Sequence, residues 1–250
     1  MTIKILIADK LAPEGATFLK AQKNVEVIEN TGLSGDALVT AIAEADGVIV
    51  RSSVKLTEEI LDKAFQNPEC RLKGIARAGV GVDNIDLQTA TKYGIAVMNS
   101  ASASTITTAE HAFALMISLA RNVANSNGVF RSGGWDRSKY VGVQLAGRTL
   151  GIVGMGRIGQ AVARRALAFG MDVIGFDPFM KEVTALDGQV RMMKSFNELI
   201  TAVDIVSFHV PRTEETDGML GAEQFAICKP DLLVVNAARG GIVNEEALIQ

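Results

Sequence analysis

Three glycines near the middle of the chain have the spacing of a loop that holds a dinucleotide. They form the pattern Gly154-Met-Gly156-Arg-Ile-Gly159, and each position needs glycine for its own reason. The first makes a tight turn out of a strand, the second lets the backbone approach a pyrophosphate, and the third lets a helix pack closely against the sheet. The N–H groups of a helix that starts near Arg157 then face the phosphates.

The residues on either side of this loop predict a strand–helix–strand unit. An apolar run at 150–153 precedes the glycines, helical spacing follows them, and a second β-like run at 172–176 ends on Asp177. A carboxylate there accepts hydrogen bonds from the adenosine ribose and repels a 2′-phosphate, so the pattern favours NAD over NADP. Glycines often only mark a turn, but strand, loop, helix and acid in this order favour dinucleotide binding.

Three arginines, each at the end of a short apolar run, are candidates for binding an anionic substrate. Ligands of open parallel sheets bind outside the carboxyl ends of the strands. Arg51 and Arg77 would form a fork-shaped site for phosphate or carboxylate, and ion pairing of Arg51 with Glu58 or Glu59 is the alternative. Arg239 is difficult to bury without an anionic partner, which favours a functional role at the cofactor crevice.

The elements that position these residues alternate along the chain. Runs of β-branched residues and helical stretches succeed one another, which predicts parallel sheets with crossover helices. We expect two domains, 1–98 without a phosphate-binding loop and 99–250 with one. The predicted strands are 3–8, 25–28, 47–50, 74–76, 95–98, 150–153, 172–176, 204–208 and 232–236, and the predicted helices of the first domain are 14–21, 36–45, 58–64 and 87–93.

A different pattern occupies the stretch between these two regions. Residues 105–123 predict one long, largely buried helix, with Thr107 and Glu110 as a capping box. Its buried stripe would consist of Ala112, Met116, Leu119 and Val123. Residues 125–143 are polar and of low periodicity, which predicts a connector with Trp135 as a packing anchor. A loop this charged is also suited to reach a second subunit.

Composition and charge exclude several classes of partner. The 250 residues carry a formal net charge of -3 with a pI near 5.5, which gives no electrostatic footprint for nucleic acid or an anionic membrane. Apolar runs are too short for a membrane span, and the N-terminus lacks the pattern of a signal peptide. Cys70 and Cys228 have neither metal-ligand nor CxxC spacing, which predicts buried free thiols. We expect a cytoplasmic protein.

Several stretches of the chain occur in an order and spacing shared with one enzyme family. From about residue 47 to the end they are VRSSVKLTEEIL, IARAGVGVDNIDLQTATKYGIAVMN, AEHAFALMISLAR, GGWDRSKYVGVQLAGRTLGIVGMGRIGQAVA, AFGMDVIGFDP, FHVPRTEETDGML and VVNAARGGIVNEEAL. Together they resemble the D-isomer-specific 2-hydroxyacid dehydrogenases. The resemblance implies an α/β fold of two doubly wound parallel-sheet domains, a flavodoxin-like substrate domain and an NAD-binding Rossmann domain that lacks the C-terminal end of the fold.

The resemblance also implies roles for individual residues. Arg239 is the catalytic residue that binds the substrate carboxylate and polarises the reacting oxygen. The residues implied to bind NAD are Gly154, Gly156, Arg157, Ile158, Gly159, Asp177, His209, Pro211, Ala237 and Ala238. Those implied to bind the substrate are Arg51, Ser52, Arg77, Val80 and Gly81, the two arginines through its phosphate and the last two through their backbone.

The reaction implied by the resemblance is NAD-dependent oxidation of 3-phospho-D-glycerate to 3-phosphohydroxypyruvate, the first step of serine biosynthesis. The alternatives are another D-2-hydroxyacid dehydrogenase, acting on glyoxylate, hydroxypyruvate or lactate, and a non-catalytic NAD-binding relative. The family completes its site with a histidine base and a carboxylate beyond Gln250, so we expect this chain to be catalytically incomplete. A homodimer or homotetramer that binds a small anionic 2-hydroxy acid, and no metal, is implied as well.

Overall fold

The computed structural model describes residues 2–250, and the chain divides between Ser104 and Thr105 into two units, each built on a five-stranded parallel sheet. The division lies a few residues beyond the 98/99 boundary that the sequence suggests. The assignment of the first domain to the substrate and of the second to NAD stays a prediction. In the described part of the chain, no helix is both long and apolar enough to cross a membrane.

Strands and helices alternate through the first unit. Its strands are β1 (Ile3–Ile7), β2 (Val25–Glu29), β3 (Gly47–Val50), β4 (Gly74–Arg77) and β5 (Ala96–Asn99). Its helices are α1 (Pro13–Lys20), α2 (Gly35–Ala43), α3 (Glu58–Gln66) and α4 (Leu87–Lys92). These are the nine elements that the sequence predicts, with ends that differ by at most two residues. The strand order β2-β1-β3-β4-β5 is the flavodoxin-like order expected, and it reverses between β1 and β3.

The second unit repeats this plan around the glycine loop. Its strands are β6 (Thr149–Val153), β7 (Asp172–Phe176), β8 (Val190–Met192), β9 (Ile205–Phe208) and β10 (Leu233–Asn236). Its helices are α5 (Thr105–Ala120), α6 (Val123–Arg131), α7 (Arg157–Ala168), α8 (Phe196–Ala202), α9 (Ala222–Ile227) and α10 (Glu245–Ile249). The order β10-β9-β6-β7-β8 confirms a doubly wound sheet, which reverses between β6 and β9.

Both sheets are parallel throughout, so the carboxyl ends of all strands in a unit meet at one edge. In the first unit, α2 and α3 bury one face of the sheet in a core that contains Leu6, Val48 and Ile75. In the second, α5 and α7 pack on the sheet in a core that contains Met116 and Ile152. These apolar cores fix the strand ends from which the candidate site residues extend.

The region after α5 differs from its prediction. Asn122 adopts the left-handed conformation with φ 53°, which ends α5 and starts α6 where the sequence predicts one continuous helix and then a connector. The capping box at Thr107 is wrong, because α5 already begins at Thr105. Only the first half of the predicted stripe is buried, since Leu119 and Val123 are about half exposed.

The loop after α6 also departs from expectation. Trp135 is 75% exposed and contacts the ring of Phe130 edge-on at 6.1 Å between ring centroids, so it is not the packing anchor that the sequence suggested. None of the α6 side chains is buried in the described chain. Cys70 and Cys228 are free, as predicted, but only partly buried.

Candidate functional site

The loop between β6 and α7 has the backbone that its glycines predict. Gly154 has φ +91°, a conformation that side chains disfavour, and a Cβ added there would lie 2.7 Å from the carbonyl oxygen of His209. A Cβ at Gly159 would overlap the carbonyl oxygen of Gly154, so α7 packs directly against the loop. Glycine is therefore required at both positions by the backbone around it.

Gly156 is different, because space rather than crowding surrounds it. It is the N-cap of α7, and among the described residues nothing lies within 4 Å of a Cβ added there. The positive end of a twelve-residue helix faces this space. This open space in front of Gly156 and α7, called the cradle below, therefore fits a pyrophosphate that approaches the backbone. Arg157 beside it is exposed, and Ile158 is partly buried.

Asp177 is held against the same loop. One of its carboxylate oxygens accepts a hydrogen bond from the N–H of Met155 at 2.9 Å, and the other accepts one from the N–H of Phe179 at 2.9 Å. Each carboxylate oxygen has a further lone pair that a ribose hydroxyl could use. The end of β7 thus places a fixed acceptor beside the glycine loop, as the sequence predicts for a dinucleotide site.

His209 closes the other side of the glycine loop from the end of β9. The backbone N–H of His209 donates to the carbonyl of Val153 at 2.8 Å. The ring Nε2 lies 2.9 Å from the hydroxyl of Ser207, a fully buried side chain. Burial lowers the pKa of His209 from 6.5 to about 4, so the ring is neutral at physiological pH. Its Nδ1 is buried without a hydrogen-bond partner in the described chain. This orphaned atom is a second feature that a ligand could satisfy.

The loop after β10 carries Arg239. Asn236 ends the strand, and its side chain donates to the carbonyl of Arg239 at 2.8 Å and accepts from the N–H of Ala238 at 3.1 Å. The guanidinium of Arg239 donates to the carbonyl of Ala238 at 2.8 Å. Ala237, Ala238 and Arg239 line a cleft at this edge. The amide of Asn236, which the sequence analysis did not single out, therefore shapes the loop. An asparagine at the end of an apolar run was the available signal.

Pro211 lies in an exposed loop after β9. Its carbonyl accepts a hydrogen bond from the hydroxyl of Thr216 at 2.7 Å. The sites of Pro211, His209, Asp177 and the three glycines all belong to the carboxyl edge of the second sheet. The structure thus brings the predicted cofactor residues of this unit to one edge, and their contact with NAD stays a prediction.

In the first unit, Arg51 and Ser52 follow β3 and are exposed. The guanidinium of Arg51 donates to the carbonyl of Lys10 at 3.3 Å. Glu59 instead pairs with Lys63 at 2.9 Å, and none of the described ion pairs joins Arg51 to an acid. The ion-pairing alternative for Arg51 is therefore not seen.

Arg77 ends the neighbouring strand, β4, which pairs with β3 through Val50 and Arg77. Its Nε is buried without a hydrogen-bond partner in residues 2–250, and its guanidinium lies over Gly79, where a Cβ would overlap it. The loop that continues to Val80 is held by Asn99, whose amide donates to the Val80 carbonyl at 2.6 Å. Two cationic side chains thus occupy adjacent strand ends, as the sequence predicts for an anion site.

Two further polar residues, Asp9 and Asn84, form hydrogen bonds with the backbone of residues 51–54 and were not identified from the sequence. The only signal for Asp9 is an acid that follows the apolar strand β1. Metal ligands are not grouped: within the described part of the chain, no cluster of three His, Cys, Asp or Glu side chains could hold a metal ion.

Comparison with known proteins gives a consistent family. The protein-family model described as D-isomer specific 2-hydroxyacid dehydrogenase, NAD binding domain, matches residues 113–250. D-3-phosphoglycerate dehydrogenase of Methanocaldococcus jannaschii is 42% identical over 248 residues, which are 99% of this chain and 46% of that protein. The chain spans about half the length of the curated relatives that it matches.

Solved structures share the fold of almost the whole chain. The TT0316 protein from Thermus thermophilus is similar with a TM-score of 0.86 at 34% identity, over 99% of this chain and 77% of that one. D-lactate dehydrogenase from Aquifex aeolicus, solved with NAD and lactic acid, has a TM-score of 0.84 at 30% identity, over 98% of this chain and 72% of its own.

Proposed function

The chain belongs to the D-isomer-specific 2-hydroxyacid dehydrogenase family, and on that premise we propose that it serves the NAD-dependent oxidation of 3-phospho-D-glycerate at C2. The observation that carries the cofactor half is the open cradle at Gly156, in front of α7 and beside the fixed carboxylate of Asp177. The substrate half rests on the two arginines at adjacent strand ends of the first unit and on relatives named for this activity.

NAD, when bound, supplies the acceptor for the hydride that leaves C2. The chain's own residues bind the cofactor and orient it. The N–H groups at the start of α7 bind the pyrophosphate, Asp177 accepts from the adenosine ribose, and the neutral His209 lines the other side with Pro211, Ala237 and Ala238.

For the substrate, Arg239 binds the carboxylate and places positive charge beside the oxygen on which a carbonyl develops. In the first unit, the backbone of Val80 and Gly81 binds a carboxylate, and Arg51 and Arg77 bind the phosphate. Ser52 contacts the substrate beside Arg51. Bidentate guanidinium groups suit both anions because their N–H donors are fixed in a plane.

The acceptor of the hydroxyl proton is assigned to neither histidine of the chain. His209 bonds to Ser207, and His111 lies on α5; neither contacts a carboxylate in residues 2–250. A histidine base needs an orienting partner of this kind to hold its tautomer.

We also propose that the protein is a cytoplasmic homodimer or homotetramer that takes part in serine biosynthesis. The support for assembly is the exposed apolar surface formed by Phe130 and Trp135, whose rings are in edge-on contact after α5. Apolar patches of this kind on soluble proteins commonly mark interfaces. Sedimentation of the chain at increasing concentration tests this, and a monomer at every concentration would overturn it.

The cofactor proposal is tested by calorimetric titration of the 250-residue chain with NAD and with ADP-ribose. Both should bind, because the pyrophosphate and adenosine ribose carry the proposed contacts. Failure of both ligands to bind would overturn the proposal.

The substrate proposal is tested by replacing either arginine of the first unit. Arg51→Ala and Arg77→Ala should each weaken binding of 3-phosphoglycerate by about tenfold or more, the loss expected for one charge-assisted contact, and leave D-lactate binding unchanged. Lys23→Ala is the control, since Lys23 is an exposed cation just before β2, at the opposite edge of the sheet. Equal losses for both acids would contradict the phosphate assignment.

A second candidate is oxidation of an unphosphorylated acid such as D-lactate. The similarity to the Aquifex aeolicus enzyme solved with NAD and lactic acid favours it. The same titrations separate the two, because D-lactate would then bind at least as tightly as 3-phosphoglycerate and would not respond to either arginine.

A further inference from the structure

The first unit reverses its strand order between β1 and β3, the place where open parallel sheets bind ligands. Asp9 follows β1 at this point and is only 7% exposed. Arg51 follows β3 on the other side of the same reversal point. A buried carboxylate at this position needs compensation by hydrogen bonds, because an isolated buried charge is costly.

Backbone N–H groups supply that compensation. One oxygen of Asp9 accepts from the N–H of Arg51 at 3.0 Å, Ser53 at 3.0 Å and Val54 at 3.3 Å, and the other accepts from Lys10 at 2.9 Å. Burial by itself raises the pKa of Asp9, but these four hydrogen bonds outweigh it and hold the pKa below its usual value. The N–H groups converge as they would around a bound anion.

Asn84 forms hydrogen bonds with the backbone carbonyl groups of the same loop. Its side-chain amide donates to the carbonyl of Arg51 at 2.7 Å and to that of Val54 at 2.7 Å. The backbone carbonyl of Asn84 in turn accepts from the N–H of Leu56 at 2.8 Å. Donors and acceptors of residues 51–54 are thus taken up from two sides, while the Arg51 guanidinium reaches the carbonyl of Lys10.

We propose that Asp9 and Asn84 form a brace that positions Arg51 for the anionic group of the substrate. The carboxylate of Asp9 takes the place on the loop N–H groups that a ligand anion would otherwise occupy. An incoming phosphate is therefore directed to the guanidinium groups of Arg51 and Arg77 instead of the backbone. This inference rests on the proposed role of Arg51 and makes Asp9 and Asn84 positioning residues.

The test compares two carboxylates of the same sheet, the buried Asp9 and the partly buried Asp46. Asp9→Asn weakens the brace, because the amide has no charge and only one acceptor oxygen for the four N–H groups, and Asp46→Asn is the matched control. Asp46 accepts from the N–H of Lys4 at 2.8 Å and pairs with Arg71 at 2.8 Å, but it precedes β3 and so lies at the opposite edge. Asp9→Asn should weaken binding of 3-phosphoglycerate and of inorganic phosphate by about tenfold, whereas Asp46→Asn should change both by less than about twofold.

A double-mutant cycle distinguishes positioning from general damage to the fold. In the Arg51→Ala background, Asp9→Asn should have no further effect on 3-phosphoglycerate binding, because the residue that it positions is gone. Hydrogen exchange at the N–H groups of Ser53 and Val54 should also accelerate in Asp9→Asn. If Asp9→Asn fails to fold, Asn84→Ala replaces it in the same cycle, since it releases the loop from the carbonyl side.

The outcomes separate this inference from the proposed function. The brace is overturned if Asp9→Asn and Asp46→Asn weaken binding equally, or if the effects of Asp9→Asn and Arg51→Ala add. If the unaltered chain binds neither 3-phosphoglycerate nor phosphate, or if Arg51→Ala has no effect on either, the role of Arg51 in the proposed function fails first and the brace fails with it.

Discussion

The two units of the chain reverse their strand order in the same way, yet different groups fill the two reversal points. Between β1 and β3 the carboxylate of Asp9 collects four backbone N–H groups. Between β6 and β9 the chain has Gly154 and an open space at Gly156. In the first unit a carboxylate of the protein takes four N–H groups. In the second, Asp177 takes only that of Met155, and the N–H groups at the start of α7 face the open space proposed for a ligand.

This difference determines which atoms can recognise a ligand in each unit. The second unit offers backbone donors at the start of α7, so recognition of the pyrophosphate there depends on the loop backbone, in which Gly154 and Gly159 cannot take a side chain. The first unit has used the N–H groups of its Arg51 loop internally, so recognition of the phosphate there depends on the side chains of Arg51 and Arg77. Substitutions should therefore damage the fold more in the second unit and ligand affinity more selectively in the first.

The largest effect should come from Gly159→Ala. Because the added Cβ would overlap the carbonyl of Gly154, we expect the free energy of unfolding of the second unit to fall by about 3 kcal/mol. Gly156→Ala is the matched control and should cost about 1 kcal/mol or less, as for an N-cap change, while it weakens NAD binding. Chemical denaturation measures both, and equal losses would remove the distinction between crowded and open glycines.

Between pH 7 and pH 5, His209 should make the stability of the second unit depend on pH. Its folded pKa of about 4 lies below its ordinary value of 6.5, so protons bind the unfolded chain first and stability falls as pH drops through this interval. The contribution between pH 7 and pH 5 is roughly 2 kcal/mol. His209→Gln should remove it, and an unchanged difference in unfolding free energy between the two pH values would contradict the buried neutral ring.

A smaller effect should follow Asp177→Asn. Loss of the negative charge removes the repulsion of a 2′-phosphate, so the preference for NAD over NADP should fall by about tenfold in calorimetric titration. Asp187→Asn is the control, because Asp187 is an exposed acid in the left-handed conformation, which asparagine also tolerates. An unchanged preference in Asp177→Asn would show that this acid does not select the cofactor.

The comparison also explains what the sequence could predict. Glycine roles at 154 and 159 follow from steric constraints within one strand–loop–helix segment, so the pattern predicted them correctly. The brace at Asp9 joins residues 42 to 45 positions apart, and Asn84 reaches back 30 to 33 positions. Only the strand order brings these groups together. Because the sequence pattern does not give the strand order, it could not predict that Asp9 and Asn84 contact the Arg51 loop.

The elements of the first unit were predicted well for a similar reason. Alternating β-branched runs and helical stretches define them locally, and turns separate them. The break at Asn122 was missed because a single residue in the left-handed conformation leaves no periodic signal. Burial of Leu119 was mispredicted for the same reason, since it depended on a helix that would continue past residue 120.

Trp135 also makes the chain a convenient optical reporter. It is the single tryptophan of the sequence, and three quarters of its surface is already in water. Its emission should therefore be red-shifted in the native state and change little when denaturant unfolds the chain. A blue shift on raising the protein concentration would instead report that another surface has covered the indole, which gives a fluorescence signal for association without any label.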